Sequence, residues 1–340
     1  MKSKTIYRAE WELDGPILLA LPHEETDWAE ILDEAIDQYK LILTALDSHN
    51  EKVLLLVHDV EKAKLQLADC PLNNVTLIEV PTNDTWTRDY GPISVIKHGD
   101  LRLLDFGFNG WGLKFSADKD NLVNLHLAEK GVLNQSAYRN RRGFILEGGS
   151  IDTDGEGTLL TTSQCLLSPN RNAEYSRAEI NEKLSRDLGV DHILWLDYGA
   201  LIGDDTDSHI DTLCRMAPEN IILFTGCRDE DDPQFEDLLK MRAQLTLFRN
   251  RTGESYNLVE LPLPDAIYGK CGSRLPATYA NYLVTPRAVY MPTYNQPQKD
   301  FLACQTIRIA FPNHEVVPVD CSTLIKQHGS LHCSTMTILP

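Results

Sequence analysis

The sequence predicts an α/β protein: five ββαβ modules closed into a pseudo-fivefold propeller by pairing of the N- and C-terminal strands, with residues 1–340 forming one domain. Three observations predict it. Short apolar runs of the buried-strand kind alternate with segments of helical periodicity. Pairs of apolar strands around a tight turn recur, at steps of 58, 62, 70 and 54 residues between positions 89, 147, 209, 279 and 333. The first apolar strand, "GPILLALP", has no hairpin partner before it, and the last, "LHCSTMTIL", has none after it. No Pro/Gly-rich seam divides the chain.

Taken in order, the first helix is "DWAEILDEAIDQYKLILTAL". Asp27 and Glu30 form a capping-box pattern, and Trp28, Ile31, Leu32, Ala35, Ile36, Tyr39, Ile42, Leu43 and Leu46 fall on one face. The runs "KVLLLVH" and "VTLIEV" read as strands. Four hairpins follow: "GPISVIKHGDLRLLDF", "FILEGGSIDTDGEGTLLTT", "HIDTLCRMAPENIILF" and "TYANYLVTPRAVYMPTY". Their turns carry the residues tight turns favour: His98-Gly99-Asp100, Asp154-Gly155-Glu156-Gly157, Pro218-Glu219-Asn220 and Thr285-Pro286-Arg287. Helices are expected near 120–131, 174–188, 233–248 (Asp232 as cap, Pro233 in the first turn) and 299–310.

Composition narrows the function. The chain carries 32 Lys and Arg against 50 Asp and Glu, a net charge of −18. Phosphate contact needs clustered cations, so no nucleic acid or anionic membrane partner is expected. A small cationic ligand suits the negative field. No run approaches the roughly 18 apolar residues of a spanning helix, and no export signal is visible, which suggests a cytoplasmic protein. The eight cysteines are scattered without CxxC pairs and should be reduced thiols, most of them small core residues.

Polar residues mark the start of each hairpin: Asp89 in "NDTWTRDYG", Glu147 in "LEGGS", His209 and Asp211 in "GDDTDSHID", and Cys333 in "HGSLHC". Equivalent strand ends of a ring converge near its axis, so these five can share one pocket. Taken singly, Asp89 reads as a turn aspartate, part of the Asp204–Asp207 cluster as a capped turn, and Cys333 as a packed thiol. His209 and Asp211, two apart, would face the same side of a strand. Together they offer a nucleophilic thiol, a proton-moving imidazole and carboxylates able to grip a planar guanidinium in bidentate fashion.

The motifs "TWTRDYGP", "EGGSIDTDGEGT", "DDTDSHID" and "HGSLHC", with "FGFNGWGLK" and "RLPATYANYL", resemble those of agmatine deiminases and Porphyromonas-type peptidylarginine deiminases of the guanidine-modifying superfamily. The resemblance spans nearly the whole chain. It implies a five-bladed α/β propeller with a central active site that hydrolyses a guanidino group without metal or organic cofactor, and suggests a homo-oligomer. Carried onto this sequence, it makes Cys333 the nucleophile that forms an amidino-thioether. Asp89 and Asp211 would hold the guanidinium. His209 would move protons, with Glu147 orienting and charging it, and Trp86 would lie against the methylene chain. Arg88 would be a structural partner of nearby acids. Where many agmatine deiminases have a glycine-rich run before the final His-Cys, this chain has Gly329 alone.

The acidic sequence favours agmatine, converted to N-carbamoylputrescine, which would place the enzyme in polyamine metabolism. Arginine would need a cationic grip, for which Arg139, Arg141 and Arg142 are candidates. Peptidylarginine would better suit an exported enzyme. Three rivals stay open: a metal-dependent hydrolase using Asp207, His209, Asp211, His328, His332 and Cys333, a non-catalytic polyamine-binding module, and an amidino-transferring enzyme.

Overall fold

A computed structural model describes residues 5–340. Its strands form five separate sheets in a mixed α/β fold. One plan repeats in four of them: an antiparallel hairpin, then a third strand parallel to the second. The four sets are Ile93–Lys97, Asp100–Gly107 and Tyr138–Ile145; Ile151–Thr153, Thr158–Thr162 and His192–Leu196; Cys214–Ala217, Ile221–Gly226 and Asn257–Pro262; and Leu283–Val284, Ala288–Thr293 and Glu315–Asp320. Thr5–Tyr7 adds an antiparallel edge to the first. The fifth sheet draws on both ends of the chain. Met336–Thr337 pairs antiparallel with Ile17–Ala20, which runs parallel to Val53–Val57, itself parallel to Val75–Glu79.

Turn chemistry fixes the hairpins. Between Lys97 and Asp100, His98 and Gly99 both take positive φ (56° and 87°), the two-residue loop whose twist matches paired strands. Each parallel return needs a crossover, and helices supply it: Leu32–Asp47, Val123–Glu129, Arg177–Leu188, Phe235–Leu245 and Pro297–Ala310, with the short Val60–Gln66 joining the last two strands of the fifth sheet. Ser176 and Glu179 cap the third of these reciprocally. The helices pack their apolar sides on the sheets, and Trp28, Tyr39, Tyr279, Tyr282, Tyr290, Phe224 and Phe311 are fully buried.

Two helix starts depart from expectation. Ala29–Ile31 is a 3-10 turn, and the helix proper begins at Leu32 with no side-chain cap. The box of Asp27 and Glu30 therefore does not form; Asp33 and Glu34 in the first turn complement the helix dipole instead. Asp232 accepts from the Gln234 amide and pairs with Arg274, and its helix begins only at Phe235. No helix among the described residues is long and apolar enough to cross a membrane. All eight cysteines are free.

Candidate active site

The site is assembled from one-turn segments that precede the hairpins. Asp89 lies in the helical turn Thr87–Tyr90, and Glu147 comes just before the 3-10 turn Gly148–Ser150. His209 precedes the turn Ile210–Leu213, which carries Asp211. The expected shared strand face for His209 and Asp211 is therefore corrected: a helical turn, not a pleat, sets their directions. Cys333 is likewise in a turn, and the last strand starts only at Met336. Asp89, Glu147, His209, Asp211 and Cys333 are all buried.

These turns pack around Gly149. A Cβ built there would lie 2.7 Å from His209 Nδ1, 2.8 Å from Asp89 Oδ1 and 3.0 Å from Asp211 Oδ2. The Gly149 amide donates to Asp89 Oδ1 (2.9 Å), and Trp111 Nε1 donates to Asp89 Oδ2 (2.9 Å). Trp111 adopts φ 54°, a conformation costly for a bulky residue, with Gly110 and Gly112 also at positive φ beside it. Asp89 Oδ1 is 3.5 Å from His209 Nδ1.

Cys333 Sγ lies 3.7 Å from Asp211 Oδ2. Asn281 fixes the thiol from the other side: its amide nitrogen is 3.2 Å from Sγ, and its carbonyl oxygen accepts from the Cys333 amide at 3.2 Å. Glu147 does not hydrogen-bond His209. Both of its oxygens are taken by Arg171 Nε (2.9 and 3.0 Å), while the polar atoms of Glu147, Cys165 and His209 lie within 4.8 Å of one another.

Behind the thiol runs a buried charge chain. His332 Nδ1 faces Asp211 Oδ2 at 2.7 Å and its Nε2 faces Glu10 Oε1 at 3.1 Å. Arg88 also pairs with Glu10, as does Arg215 at 2.8 Å. The N-terminal segment thus supplies the carboxylate that anchors the residue beside Cys333.

Electrostatics follow from this geometry. Burial pushes the Cys333 thiol well above the ordinary cysteine value, and the charges of Asp211 and Asp89 add to it. Burial also raises Asp89, against the pull of His209. For Asp211 burial acts upward, but the hydrogen bond and charge of His332, then His209 and Arg215, outweigh it and hold the group low. Burial would lower His209; the charge of Asp89, then Cys165 and Glu147, outweighs that and raises its pKa well above the ordinary imidazole value.

The cleft above Cys333 is lined by Trp86, Trp111, Phe115, His328 and Gly329, with Asp27, Asp84, Asp89 and Asp205 as its acids and, among the described residues, no Lys or Arg. Trp86 packs on Trp28 (centroids 5.8 Å apart), and a Cβ on Gly329 would meet its ring at 2.3 Å. Arg139, Arg141 and Arg142 are elsewhere: Arg141 pairs with Asp187, Arg142 with Asp105, and Arg139 with backbone carbonyls. The candidate metal ligands from the sequence do not gather as one set, because Asp207 pairs with Lys114 and Arg171, His328 faces the Gly203 carbonyl, and His332 lies between two carboxylates.

Sequence reasoning missed Arg171, Gly149 and Glu10 as parts of the site. It quoted Asn281 and Trp111 only inside motifs. The signal available was "YANY" and "NGWG": a polar side chain among aromatics, and a tryptophan between glycines.

Residues 6–338 match the profile of the Porphyromonas-type peptidyl-arginine deiminase family. Agmatine deiminase of Pseudomonas aeruginosa is 32% identical over 354 residues, covering 96% of this chain and 93% of the relative. Among solved structures, C. jejuni agmatine deiminase, a cysteine-to-serine variant with substrate bound, superposes with a TM-score of 0.92 at 37% identity, covering 99% and 97% of the two chains. Enterococcus faecalis agmatine deiminase does so with 0.86 at 25% identity, covering 98% and 95%.

Proposed function

The chain belongs to the Porphyromonas-type peptidyl-arginine deiminase family, and from that premise we propose that it is an agmatine deiminase, a hydrolase of linear amidine C–N bonds. The observation that carries the substrate is the cleft: among the described residues it is lined by four aspartates and by no Lys or Arg. A ligand with a guanidinium at one end and an ammonium at the other, and no carboxylate, suits it. Free arginine would bring a carboxylate to a wall that offers no cation, and the Arg139 group lies outside the cleft.

In this reading the guanidinium lies between Asp89 and Asp211 over Cys333, with Trp86 along the methylenes. Its N–H groups would meet Asp211 Oδ1, a buried oxygen without a hydrogen-bond partner. Cys333 gives its proton to solvent, and its sulfur bonds to the guanidinium carbon as the C=N π bond opens. The C–N bond breaks as His209 donates a proton to the leaving amine, releasing ammonia. Water, deprotonated by His209, then attacks the amidino-thioether carbon. The C–S bond breaks, giving N-carbamoylputrescine and returning the thiol. Glu147, held by Arg171, acts through charge on His209.

The five sheets read as blades of one pseudo-fivefold ring, closed where Met336–Thr337 meets Ile17–Ala20. The repeated strand order supports that reading, and with it the reading of the chain as one catalytic domain. A free small-molecule substrate and unpaired cysteines fit a cytoplasmic enzyme.

Ammonia release from agmatine, arginine and an arginine peptide, by wild type and Cys333→Ser, tests the proposal. Turnover of agmatine alone, lost in the variant and insensitive to a chelator, is expected. Release from arginine or the peptide would change the substrate, and full activity of Cys333→Ser would end the thiol mechanism.

A further inference from the structure

A second cluster, outside the site, joins two imidazoles and a carboxylate. Ile17–Ala20 and Val53–Val57 run parallel with Ala20 opposite Leu56, so the segments leaving their C-terminal ends lie side by side. His23 stands on one and His58 on the other, with ring centroids 4.5 Å apart. Glu25 completes the group, and the ligating atoms of all three lie within 4.8 Å of one another.

From this geometry we propose that His23, Glu25 and His58 bind a divalent transition metal on the shoulder of the cleft. Two imidazoles and one carboxylate leave a fourth, solvent-facing position, a donor set suited to Zn²⁺, Co²⁺ or Ni²⁺. His23 is buried and oriented: its Nε2 is 3.3 Å from Thr82 Oγ1, and its Nδ1 accepts from the Glu25 amide at 3.3 Å. Both contacts are long, and a metal bond can replace the first, with the Thr82 hydroxyl turning away from the ring nitrogen it faces. His58 and Glu25 are exposed and can swing inward.

Glu25 must leave Lys119, an exposed pair at 3.2 Å of the weakly held kind. Asp27 and Trp28 follow directly on the same segment, one lining the cleft and the other packed on Trp86. Metal at this site would therefore sit beside the cleft wall without touching the reacting groups. The buried set of Glu147, Cys165 and His209 is the poorer host, since Arg171 occupies both Glu147 oxygens and repels a cation.

The two sets differ in sulfur, so Co²⁺ distinguishes them. Full-length protein with Cys271→Ser, which removes the exposed thiol, is titrated with Co²⁺ and followed by visible spectroscopy and calorimetry. One ion per chain is expected, with ligand-field bands and no thiolate-to-cobalt charge-transfer band. His58→Ala and Glu25→Gln should each weaken binding by about tenfold or more, while Cys165→Ala leaves it unchanged. Absence of binding, a charge-transfer band lost in Cys165→Ala, or affinity unchanged in both ligand variants would overturn the assignment. None of these readouts depends on the enzyme's substrate.

Discussion

Gly149→Ala should disable the enzyme while sparing the fold. Gly149 does not have positive φ, so alanine brings no backbone strain. What it brings is a methyl carbon 2.7 Å from His209 Nδ1, 2.8 Å from Asp89 Oδ1 and 3.0 Å from Asp211 Oδ2, where ordinary contact starts at 3.4 Å. The three groups that would grip the guanidinium and move its protons must therefore retreat by about 0.4–0.7 Å, or the backbone must carry Gly149 away from Asp89. Misplacement approaching 1 Å costs on the order of 100-fold in rate, about 2.7 kcal/mol of transition-state stabilisation. Steady-state ammonia release from agmatine and a thermal melt should show kcat/KM down by about that factor with Tm close to wild type. The neighbouring Gly148→Ala is the contrast: its Cβ meets the Arg88 carbonyl oxygen at 2.2 Å, rigid backbone, so stability should fall as well. If Gly149→Ala keeps more than about a third of wild-type kcat/KM, the convergence of these groups on the reacting centre is wrong.

Three further outcomes are expected. Because burial and two carboxylates hold the Cys333 thiol protonated, iodoacetamide should alkylate it slowly at neutral pH in the ligand-free enzyme and faster as pH rises; rapid alkylation at pH 7 would contradict this. Glu10→Gln strands Arg88, Arg215 and His332 and should destabilise the protein by about 3–5 kcal/mol in urea. Burial raises the Glu10 pKa, but Arg88, His332 and Arg215 outweigh it and bring the folded value below the unfolded one, so this contribution is present above the unfolded pKa and is lost as pH falls through the folded one. The gap between wild type and variant should narrow in acid, and a gap independent of pH would refute the linkage. Asp84 and Asp205, both raised chiefly by burial to about 6, are charged only above that pH. Agmatine binding to Cys333→Ser by calorimetry should weaken as pH drops through 6, and affinity flat from pH 5 to 8 would remove these aspartates from recognition.

How far the sequence could be read depends on the length of each element. Repeated hairpins were legible because strand alternation and turn residues such as His98-Gly99 are local. So were the candidate polar residues, because a Glu147 between apolar neighbours and two glycines breaks the pattern around it. One-turn helices leave no periodic trace, and "SHIDTLC" alternates like a strand; His209 and Asp211 were placed on a pleat for that reason. The supporting residues were hidden for another. Arg171 sits in an irregular loop, and Glu10 is 322 positions from the His332 it anchors. Long-range ion pairs have no signature in local spacing. Asp27 was misread as a helix cap because its pattern with Glu30 satisfies the local rule, whereas the folded chain puts it in the cleft wall.

The arrangement of charge also bears on why Cys333, the nucleophile of the proposed mechanism, would rest as a thiol. Arg171 answers Glu147, and Glu10 is answered by Arg88, Arg215 and His332. Among the described residues, Asp89 and Asp211 have no such guanidinium of their own and Asp211 Oδ1 has no partner; His209 and His332 stand beside them. Buried carboxylates without full compensation repel a thiolate as strongly as they attract a cation. A guanidinium seated between them would reverse the sign of the field at Cys333 Sγ, 3.7 Å from Asp211. The ligand that is to be attacked would thus supply the charge that favours loss of the thiol proton. A neutral urea product supplies none, so the same field would favour its release and return the thiol to rest.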